Sequence, residues 1–391
     1  MHEGDLGEMS VKEPHEMMVH EEHDQHAHIG YVASLKKYVA NQVAPGNLNV
    51  FQENLDSKVN LESTRSPRER RTMLQRMARN QFWQIASALK LLGQELMWST
   101  VGECVDRQHE ILREQARKII SREQKKGSLH LNPAFQAPNY LTAVDIHHMA
   151  GGYTQDYGDD DVYAGALYDR GVLVFQMKPD VDVNDRMGKF IVKNLKQRFP
   201  GWSPQRILEV GCSIGASTVA FADAWPNAEV HAIDVGTAML RYAHARAVSL
   251  GRAIHFSQQN GEETNFPSSY FDLIVSIGTL HETSNKAVHN IFRECHRLLA
   301  TGGVMMHGEG LQHKDLSLYE EVTFDWDTHF NAEPFIGKLH DLDLWAAIEA
   351  AGFQKHLLYE DHVSRGENNA AENRAVEFNQ SGKYMLIGAV R

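Results

Sequence analysis

The chain has 391 residues, enough for about two domains, and its 42% hydrophobic content is typical of a globular protein. Its 51 acidic residues outnumber its 39 basic ones, and the formal net charge of −12 argues against binding to a nucleic acid backbone. Because no apolar run approaches the ~20 residues that cross a bilayer, and the acidic N-terminus lacks a signal pattern, we predict a cytoplasmic protein with no membrane partner.

Residues 1–29 are polar and acidic, and they contain six histidines. These are His2, His15, His20, His23, His26 and His28. A segment with so few aliphatic side chains cannot bury enough apolar surface to offset the entropy of ordering, so we predict a disordered and dispensable tail. The spacing of the histidines suits no particular metal geometry, and we predict no functional metal site there.

Residues 30–139 show helical periodicity and are predicted to form an all-helical N-terminal domain. Ser66, Pro67 and Glu69 form a helix start, in which the serine caps the helix and the glutamate closes a capping box. Gly93 is expected to bend or end the helix that follows. The apolar residues of this domain are interpreted mainly as core. The alternative is that some of them line a substrate cavity or form a homodimer interface.

Residues 140–200 are predicted to form a lid and an entry helix, after a surface linker over 127–140. The stretch 147–158 combines glycines, which permit hinging, with tyrosines, which can pack on a flat ligand. Tyr153 is the candidate for a ligand contact, and a surface loop with solvated tyrosines is the alternative. Residues 185–198 have the pattern of an amphipathic helix.

A buried strand, a glycine turn and a helix are predicted to follow one another. The strand covers 207–210, Gly211 and Gly215 make the turn, and the helix covers 216–225. Such a turn lets the backbone and the first amides of the helix approach a bound molecule closely. The pattern therefore indicates a nucleotide-binding fold, although a glycine turn alone is weak support for any particular ligand.

Asp234 ends the next predicted strand, about 20 residues beyond the glycines. A carboxylate at this position can accept hydrogen bonds from both hydroxyls of a ribose, so the ligand is expected to carry one. An NAD-type domain and a glycine turn without a ligand are the alternatives. Ser213 interrupts the fuller glycine pattern that dinucleotide-binding proteins favour, which argues against the first of them.

Further strands are predicted along the rest of the chain. They cover 229–233, 253–258, 271–278, 304–306, 354–359 and 384–390. The last two have no crossover pattern between them and are expected to pair antiparallel. Apolar residues on one face of the stretch 285–299 predict a helix that covers the sheet before the fifth strand.

Glu209, Gly211, Gly215 and Asp234 resemble the cofactor-binding motifs of class I S-adenosylmethionine-dependent methyltransferases. Phe271-Asp272 and Gly302-Gly303 extend the resemblance, which covers roughly the C-terminal half of the chain. It implies an α/β fold with a Rossmann-like seven-stranded methyltransferase sheet over 201–391, here preceded by the N-terminal all-helical domain. It also implies S-adenosyl-L-methionine as the cofactor.

The resemblance assigns roles residue by residue. Glu209 is implied to lie near the methionine amino group of the cofactor, Gly211 and Gly215 to line its methionine and ribose, and Asp234 to bind the ribose. Asn260 stands where the family often has an aspartate for the adenine amino group, and its amide oxygen can accept the same hydrogen bond. The other candidates for cofactor contact are Tyr153, Ser213, Gly261, Glu262 and Ser276.

Side chains that follow the fourth and fifth strands of the sheet are expected at the acceptor side, because ligands bind beyond the carboxyl ends of parallel strands. The catalytic candidates are His281, His307 and Glu309, and Glu282 follows His281 directly. His281 ranks first as a general base, since histidine titrates near neutral pH, and a strand cap is the alternative. A metal held by His307, Glu309 and His313 is less favoured, so no metal is predicted.

We therefore predict a methyltransferase that acts on a small organic acceptor, with O-, N- and C-methylation all open. The alternatives are a protein side-chain methyltransferase and a non-catalytic scaffold that binds the cofactor. The double-glutamate loop of arginine methyltransferases is not evident after the fourth strand, where Glu282 stands alone. Glu209 and Asp234 argue against the scaffold.

Overall fold

The computed structural model describes residues 14–55, 66–122, 127–178, 180–364 and 383–391. Its α-helices are α1 His23–Tyr38, α2 Gly46–Glu53, α3 Pro67–Met77, α4 Gln81–Ile120, α5 Asn139–Thr142, α6 Tyr163–Phe175, α7 Arg186–Arg198, α8 Ala216–Ala224, α9 Thr237–Ser249, α10 Asn285–Leu298, α11 Leu318–Phe330, α12 Ile336–Asp341 and α13 Leu344–Ala350. Its strands are β1 Ser128–His130, β2 Arg206–Val210, β3 Glu229–Asp234, β4 His255–Gln258, β5 Phe271–Ile277, β6 Leu299–Gly310, β7 Leu358–Ser364 and β8 Lys383–Val390.

An eight-stranded sheet organises the C-terminal part of the chain. Its strand order is β1-β4-β3-β2-β5-β6-β8-β7. Strands β1 to β6 run parallel to one another, whereas β8 pairs antiparallel with both β6 and β7. The predicted α/β class with a Rossmann-like sheet is confirmed, and so is the antiparallel pair at its end.

The two faces of the sheet bury alternate side chains, because successive residues of a strand point to opposite sides. Along β2, Ile207 packs with α7, α8 and α9, while Leu208 packs with α10 and α13. The same alternation occurs on β5 between Leu273 and Ile274. Helices therefore cover both faces, and the carboxyl ends of the central strands are left to form a site.

The eighth strand is an addition to the seven that were predicted. Ser128–His130 lies within the stretch predicted to be a surface linker, and it pairs parallel with β4 at the edge of the sheet. Three residues are too short to show the alternation by which a strand is recognised in a sequence. The linker prediction is therefore wrong for these residues.

Residues 14–29 are ordered, which corrects the prediction of a disordered tail for this part of the segment. Met17 is fully buried in a core that it shares with α4, α6 and α9. His15 Nε2 lies 3.1 Å from Asp169 Oδ2, and both side chains are buried. The composition concealed this contact because a few apolar side chains enter a core built by distant helices. Residues 1–13 lie outside the described residues.

The helical N-terminal region shares a core with the sheet domain. The capping box of Ser66 and Glu69 forms as predicted at the start of α3. Helix α4 continues through Gly93 for 40 residues, so the expected bend is absent and packing outweighs the ~1 kcal/mol that glycine costs in a helix. Its buried side chains pack with Tyr242 and Ala245 of α9. No helix in the described ranges is long and apolar enough to cross a membrane.

The stretch from 140 to 200 contains more than a lid and an entry helix. The entry helix is α7, close to its predicted bounds. Helix α6 was not predicted; it packs between α4 and α9, and its Asp169 and Arg170 are fully buried. Short 3₁₀ turns at Ile146–His148 and Gly152–Thr154 precede it.

Candidate active site

The turn between β2 and α8 requires left-handed backbone at three positions. The φ angles are +70° at Gly211, +49° at Ser213 and +68° at Gly215. A Cβ at Gly211 would lie 2.5 Å from Thr279 Cγ2, so this position has no room for any other residue. The turn thus keeps the backbone at the end of β2 open toward the cavity.

Asp234 faces the same cavity from the carboxyl end of β3. Its two oxygens accept backbone hydrogen bonds from Ser213, at 2.8 Å, and from Gly236, at 3.0 Å. Burial nevertheless raises the pKa of the Asp234 carboxyl above its usual value. These backbone bonds orient the carboxylate before any ligand arrives, as recognition of a diol requires.

Glu209, on β2, is buried at the edge of the cavity. The Thr218 hydroxyl donates a hydrogen bond to its carboxylate. Burial raises the pKa of Glu209 to about 8, against the opposing effect of this bond. A cationic group bound beside Glu209 would favour its ionised form, because opposite charges lower a carboxyl pKa.

The turn after β4 divides the predicted cofactor contacts into two groups. Asn260 and Gly261 line the cavity, and Asn260 Oδ1 accepts a 3.0 Å bond from the Glu262 amide. The Glu262 carboxylate instead accepts bonds from the Tyr140 hydroxyl, at 2.9 Å, and from Asn290 Nδ2, at 2.7 Å. The structure therefore places Glu262 outside the cavity lining, where it holds the turn in position.

His281 and Glu309 meet at the acceptor end of the cavity. Nδ1 of His281 lies 2.7 Å from Glu309 Oε2, and Glu309 Oε1 accepts a 2.7 Å bond from the Leu280 amide. Burial opposes charge on His281, but the Glu309 carboxylate outweighs it and raises the pKa of His281 to about 9. At neutral pH this imidazole therefore carries a proton and is poorly suited to accept another.

Ser276 and His307 lie away from the cavity, contrary to their predicted roles. Both are fully buried within the sheet, and Ser276 Oγ lies 2.6 Å from His307 Nδ1. Burial lowers the pKa of His307 to about 3, so the ring is neutral. Both side chains point from their strands into the interior behind the cavity, where His307 packs against Phe292.

An alternating row of acidic and imidazole side chains continues from His281. His281 Nε2 lies 3.7 Å from Glu282 Oε1, and the same oxygen lies 3.0 Å from His147 Nε2. His147 Nδ1 lies 3.2 Å from Glu333 Oε1. Burial opposes charge on His147, but Glu333 and Glu282 outweigh it and hold the His147 pKa well above its usual value. With Glu309, the row contains three carboxylates and two imidazoles.

The segment predicted to be a lid crosses over this row. His147 has a φ of +58°, and its carbonyl accepts bonds from Trp98 Nε1, at 2.7 Å, and from Gln94 Nε2, at 3.0 Å. The Tyr153 hydroxyl donates a 3.0 Å bond to Glu282 Oε1. Tyr153 and His147 both line the cavity, so the segment covers the site from the side of α4.

One cavity of about 250 Å³ joins these groups. At one end it is lined by Glu209, Gly211, Ser213, Asp234, Asn260 and Gly261. At the other end it is lined by Trp98, His147, Tyr153, Val172, Phe175, His281, Glu282 and Glu309, and Tyr168 lies between the two groups, beside Ser213. Two ligands bound at the two ends would therefore meet within one cavity.

The metal alternative gains no support from the geometry. His313 Nδ1 lies 2.9 Å from Asp341 Oδ1, outside the cavity lining, while His307 is enclosed in the sheet. Across the parts of the chain that the structure describes, no group of three or more His, Cys, Asp and Glu side chains could hold a metal ion.

Several residues of the site were not predicted from the sequence. His147 appeared only as part of the lid, and Glu333, Tyr168 and Phe175 were given no role. Tyr168 and Phe175 belong to α6, whose Ala164, Leu167, Gly171 and Val174 recur at helical spacing and could have indicated it. No sequence signal identifies Glu333, because its contact with His147 spans distant parts of the chain.

Comparisons with known proteins extend these observations. Residues 207–303 match the family described as "Methyltransferase domain". The chain is 30% identical over 189 residues to malonyl-[acyl-carrier protein] O-methyltransferase of Geobacter sulfurreducens, covering 45% of this chain and 66% of that protein. It is 28% identical over 102 residues to phosphoethanolamine N-methyltransferase 3 of Arabidopsis thaliana, covering 26% of this chain and 20% of that protein. The chain thus spans less than two thirds of the length of both relatives.

Among solved structures, phosphoethanolamine N-methyltransferase 2 of Haemonchus contortus is similar with a TM-score of 0.39 and 17% identity, covering 52% of each chain. A methyltransferase of Methanococcus maripaludis, described as dependent on S-adenosyl-L-methionine, is similar with a TM-score of 0.39 and 17% identity. That similarity covers 61% of this chain and 98% of the other.

Proposed function

Because the chain belongs to the class I S-adenosylmethionine-dependent methyltransferases, we propose that it transfers a methyl group from S-adenosylmethionine to a small organic acceptor. The observation that carries this proposal is the continuity of one cavity from Glu209 and Asp234 to His281 and Glu282. S-adenosylmethionine, when bound, supplies an electrophilic methyl carbon. The protein's part is then to hold the acceptor in line with that carbon and to receive a proton.

The residues at the first end of the cavity fit this cofactor chemically. Glu209 is a buried carboxylate whose ionised form a bound amino group would stabilise. Asp234 is already oriented by two backbone bonds and presents oxygens suited to a ribose diol. Gly211 lets the turn pass against Thr279 with its backbone facing the cavity, where a Cβ would meet Thr279 at 2.5 Å.

Enclosure of the second end favours a small acceptor over a protein side chain. The lid residues His147 and Tyr153 bond to Glu282 across the cavity, and Phe175 and Trp98 form apolar wall beside them. A folded protein chain would have to displace these contacts to enter. A scaffold without activity is also disfavoured, because the cavity continues beyond the residues suited to the cofactor and leaves enclosed room for an acceptor.

The charge of the cavity disfavours the acceptors for which the two relatives are named. Malonyl-[acyl-carrier protein] and phosphoethanolamine carry anionic groups. The described residues that line the cavity include Glu209, Asp234, Glu282 and Glu309 but no lysine or arginine, and the imidazoles of His147 and His281 already face Glu282 and Glu309. Anionic groups are normally held by such cations.

Methyl transfer can be tested without knowing the acceptor. The purified protein would be incubated with methyl-labelled S-adenosylmethionine and fractionated small molecules from the source cells, and labelled products would be separated by mass. We expect S-adenosylhomocysteine and one labelled small product. Cofactor binding without any labelled product, or label only on protein, would contradict the proposal.

Asp234→Ala should weaken the binding of S-adenosylhomocysteine by roughly ten- to a hundredfold. Each hydrogen bond to a charged group contributes ~1.5–3 kcal/mol, and the variant also loses the two backbone bonds that shape the turn. Isothermal titration calorimetry measures the affinity. Asp223→Ala, at an exposed ion pair with Arg252, is the matched control and should bind as wild type does. Unchanged affinity of Asp234→Ala would remove Asp234 from the cofactor site.

A homodimer through the N-terminal helices is also proposed. Phe82, Ile85 and Leu92 on α4 are exposed, and Leu89 lies on the same stripe. The spacings of this stripe are three, four and three residues, so antiparallel pairing of two copies would bring Phe82 opposite Leu92 of the second copy. We expect a dimer by analytical ultracentrifugation and a monomer for Leu92→Glu.

The control for this pairing is Gln84→Glu, at an exposed position on α4 outside the stripe, and it should leave the dimer intact. A wild-type protein that sediments as a monomer at micromolar concentration would contradict the pairing.

A further inference from the structure

One oxygen of Glu282 is buried at the cavity without a partner. Glu282 Oε1 accepts a bond from the Tyr153 hydroxyl and lies within hydrogen-bond distance of His147 Nε2. Glu282 Oε2 has no hydrogen-bond partner among the described residues, although the carboxylate lines the cavity. A buried carboxylate oxygen without a donor is costly, so a ligand that brings a donor gains the energy of satisfying it.

The charges around Glu282 favour a positive ligand. Glu282, Glu309 and Glu333 contribute three acidic side chains to the buried row, and His147 and His281 contribute two imidazoles. With every member of the row ionised, one negative charge therefore remains in excess. A cation bound at Glu282 Oε2 would balance it, a neutral hydroxyl would satisfy the oxygen but leave the charge, and an anion would be repelled.

The walls beside Glu282 suit the apolar part of such a ligand. Tyr168, Val172 and Phe175 project from α6, and Trp98 projects from α4, onto the same cavity. The Trp98 ring is held in place because its Nε1 donates to the His147 carbonyl at 2.7 Å. Aromatic faces attract cations as well as hydrocarbon, so the walls and the carboxylate select for the same kind of molecule.

We propose that the acceptor is a small amine with an apolar or aromatic body, whose nitrogen binds Glu282 Oε2 and is the atom that receives the methyl group. This inference rests on the proposed methyl transfer and names the class of its acceptor. Glu282 then acts as the catalytic residue that contacts the acceptor. His281 and His147 act as positioning residues that hold the Glu282 carboxylate between them.

The proton balance of this reaction assigns Glu282 a defined role. An amine that enters as an ammonium ion must lose one proton before its nitrogen has a free electron pair. Glu282 Oε2 accepts that proton, and the electron pair then forms the bond to the methyl carbon while the sulfur–carbon bond electrons pass to sulfur. The products are a methylated ammonium ion, a neutral thioether and one proton, which leaves Glu282 for solvent.

The test measures binding to the protein saturated with S-adenosylhomocysteine. A panel of matched probes would be titrated by calorimetry, each set having one carbon skeleton with an amine, an alcohol or a carboxylate, such as phenethylamine, 2-phenylethanol and 3-phenylpropionate. We expect at least one amine of the panel to bind about ten- to a hundredfold more tightly than its alcohol, and the carboxylates to bind more weakly still.

Glu282→Gln removes the charge and retains the shape. It should reduce the affinity of the amine to that of the alcohol, while S-adenosylhomocysteine binds within threefold of wild type. The matched control is Glu229→Gln. Glu229 lies on the surface at the amino end of β3, away from the cavity, and this variant should keep the preference for the amine. If Glu282→Gln does not fold, the order of affinities among the three probe classes on the wild-type protein still decides the matter.

The two proposals fail in different ways. Failure of the wild-type protein to bind S-adenosylhomocysteine would contradict the proposed function itself. Binding of S-adenosylhomocysteine with a preference for alcohols or carboxylates, or with no amine bound at all, would overturn only the amine acceptor. An amine preference that Glu282→Gln leaves intact would also overturn it, because Glu282 would then not be the contact.

Discussion

A chain that starts at Gly30 should fail to fold, or should unfold with a free energy lower by at least ~5 kcal/mol. The deletion removes Met17, Val19 and Ile29, all buried in the core that α4, α6 and α9 share. Loss of one large buried side chain costs ~2–5 kcal/mol, and a whole protein is stable by only ~5–15 kcal/mol. Chemical denaturation followed by circular dichroism measures the difference.

Polar contacts add to the expected loss. Deletion removes the carbonyl of Met17, which accepts a 3.0 Å bond from the Tyr242 hydroxyl, and it removes His15 from its buried partner Asp169. A double variant of His23 and Asp24 to alanine changes exposed side chains in the same segment and should alter stability by less than about 0.5 kcal/mol. A shortened chain that melts as the full chain does would show that the segment is dispensable after all.

His281→Asn should lower stability most at low pH, and the loss should shrink as pH rises. The folded-state pKa of His281 is about 9, above its unfolded value of ~6.5, so the folded state binds this proton more tightly. The resulting stabilisation is fully present below pH 6.5 and disappears as pH rises through 9. Its size is on the order of 3 kcal/mol for this buried pair with Glu309.

The measurement is the free energy of unfolding of wild type and His281→Asn at pH 6, 7.5 and 9.5. The difference between them should be largest at pH 6 and smallest at pH 9.5. His356→Asn, at an exposed position, is the control and should follow wild type at every pH. A difference that grows with pH would mean that His281 is buried as a neutral ring.

The same variant separates two catalytic roles once the acceptor is known. A general base at His281 would give a ~10²–10⁴-fold loss of turnover that high pH partly offsets. An imidazolium that positions Glu282 gives a loss of turnover without that offset, because the group that takes the proton is still present. Turnover measured from pH 6 to 9, with S-adenosylhomocysteine affinity as the check on the cofactor site, distinguishes the two.

Local patterns in the sequence were sufficient to predict the main features of the nucleotide-binding half of the molecule. The strand over 207–210, the positive φ angles of Gly211 and Gly215, and the carboxylate of Asp234 follow from neighbouring residues, because a buried strand and a tight turn are encoded within a few positions. The helix start at Ser66 is local in the same sense. These features are present in the structure where the sequence predicted them.

Which side chains meet at the acceptor end of the cavity is decided by the tertiary structure. His281 and His307 each follow a strand predicted from the sequence and look equivalent there. In the structure His281 lies on a 3₁₀ turn beyond β5 and lines the cavity, whereas β6 continues through His307 and buries its side chain behind the cavity. The partners of Glu282 come from the lid, and Glu333 from the connection after α11 completes the row. Contacts between residues so far apart in the chain leave no periodic trace in it. The sequence by itself thus determined the fold class and the cofactor, whereas only the packing of helices against the sheet decided which charges meet and which oxygen is left for the acceptor.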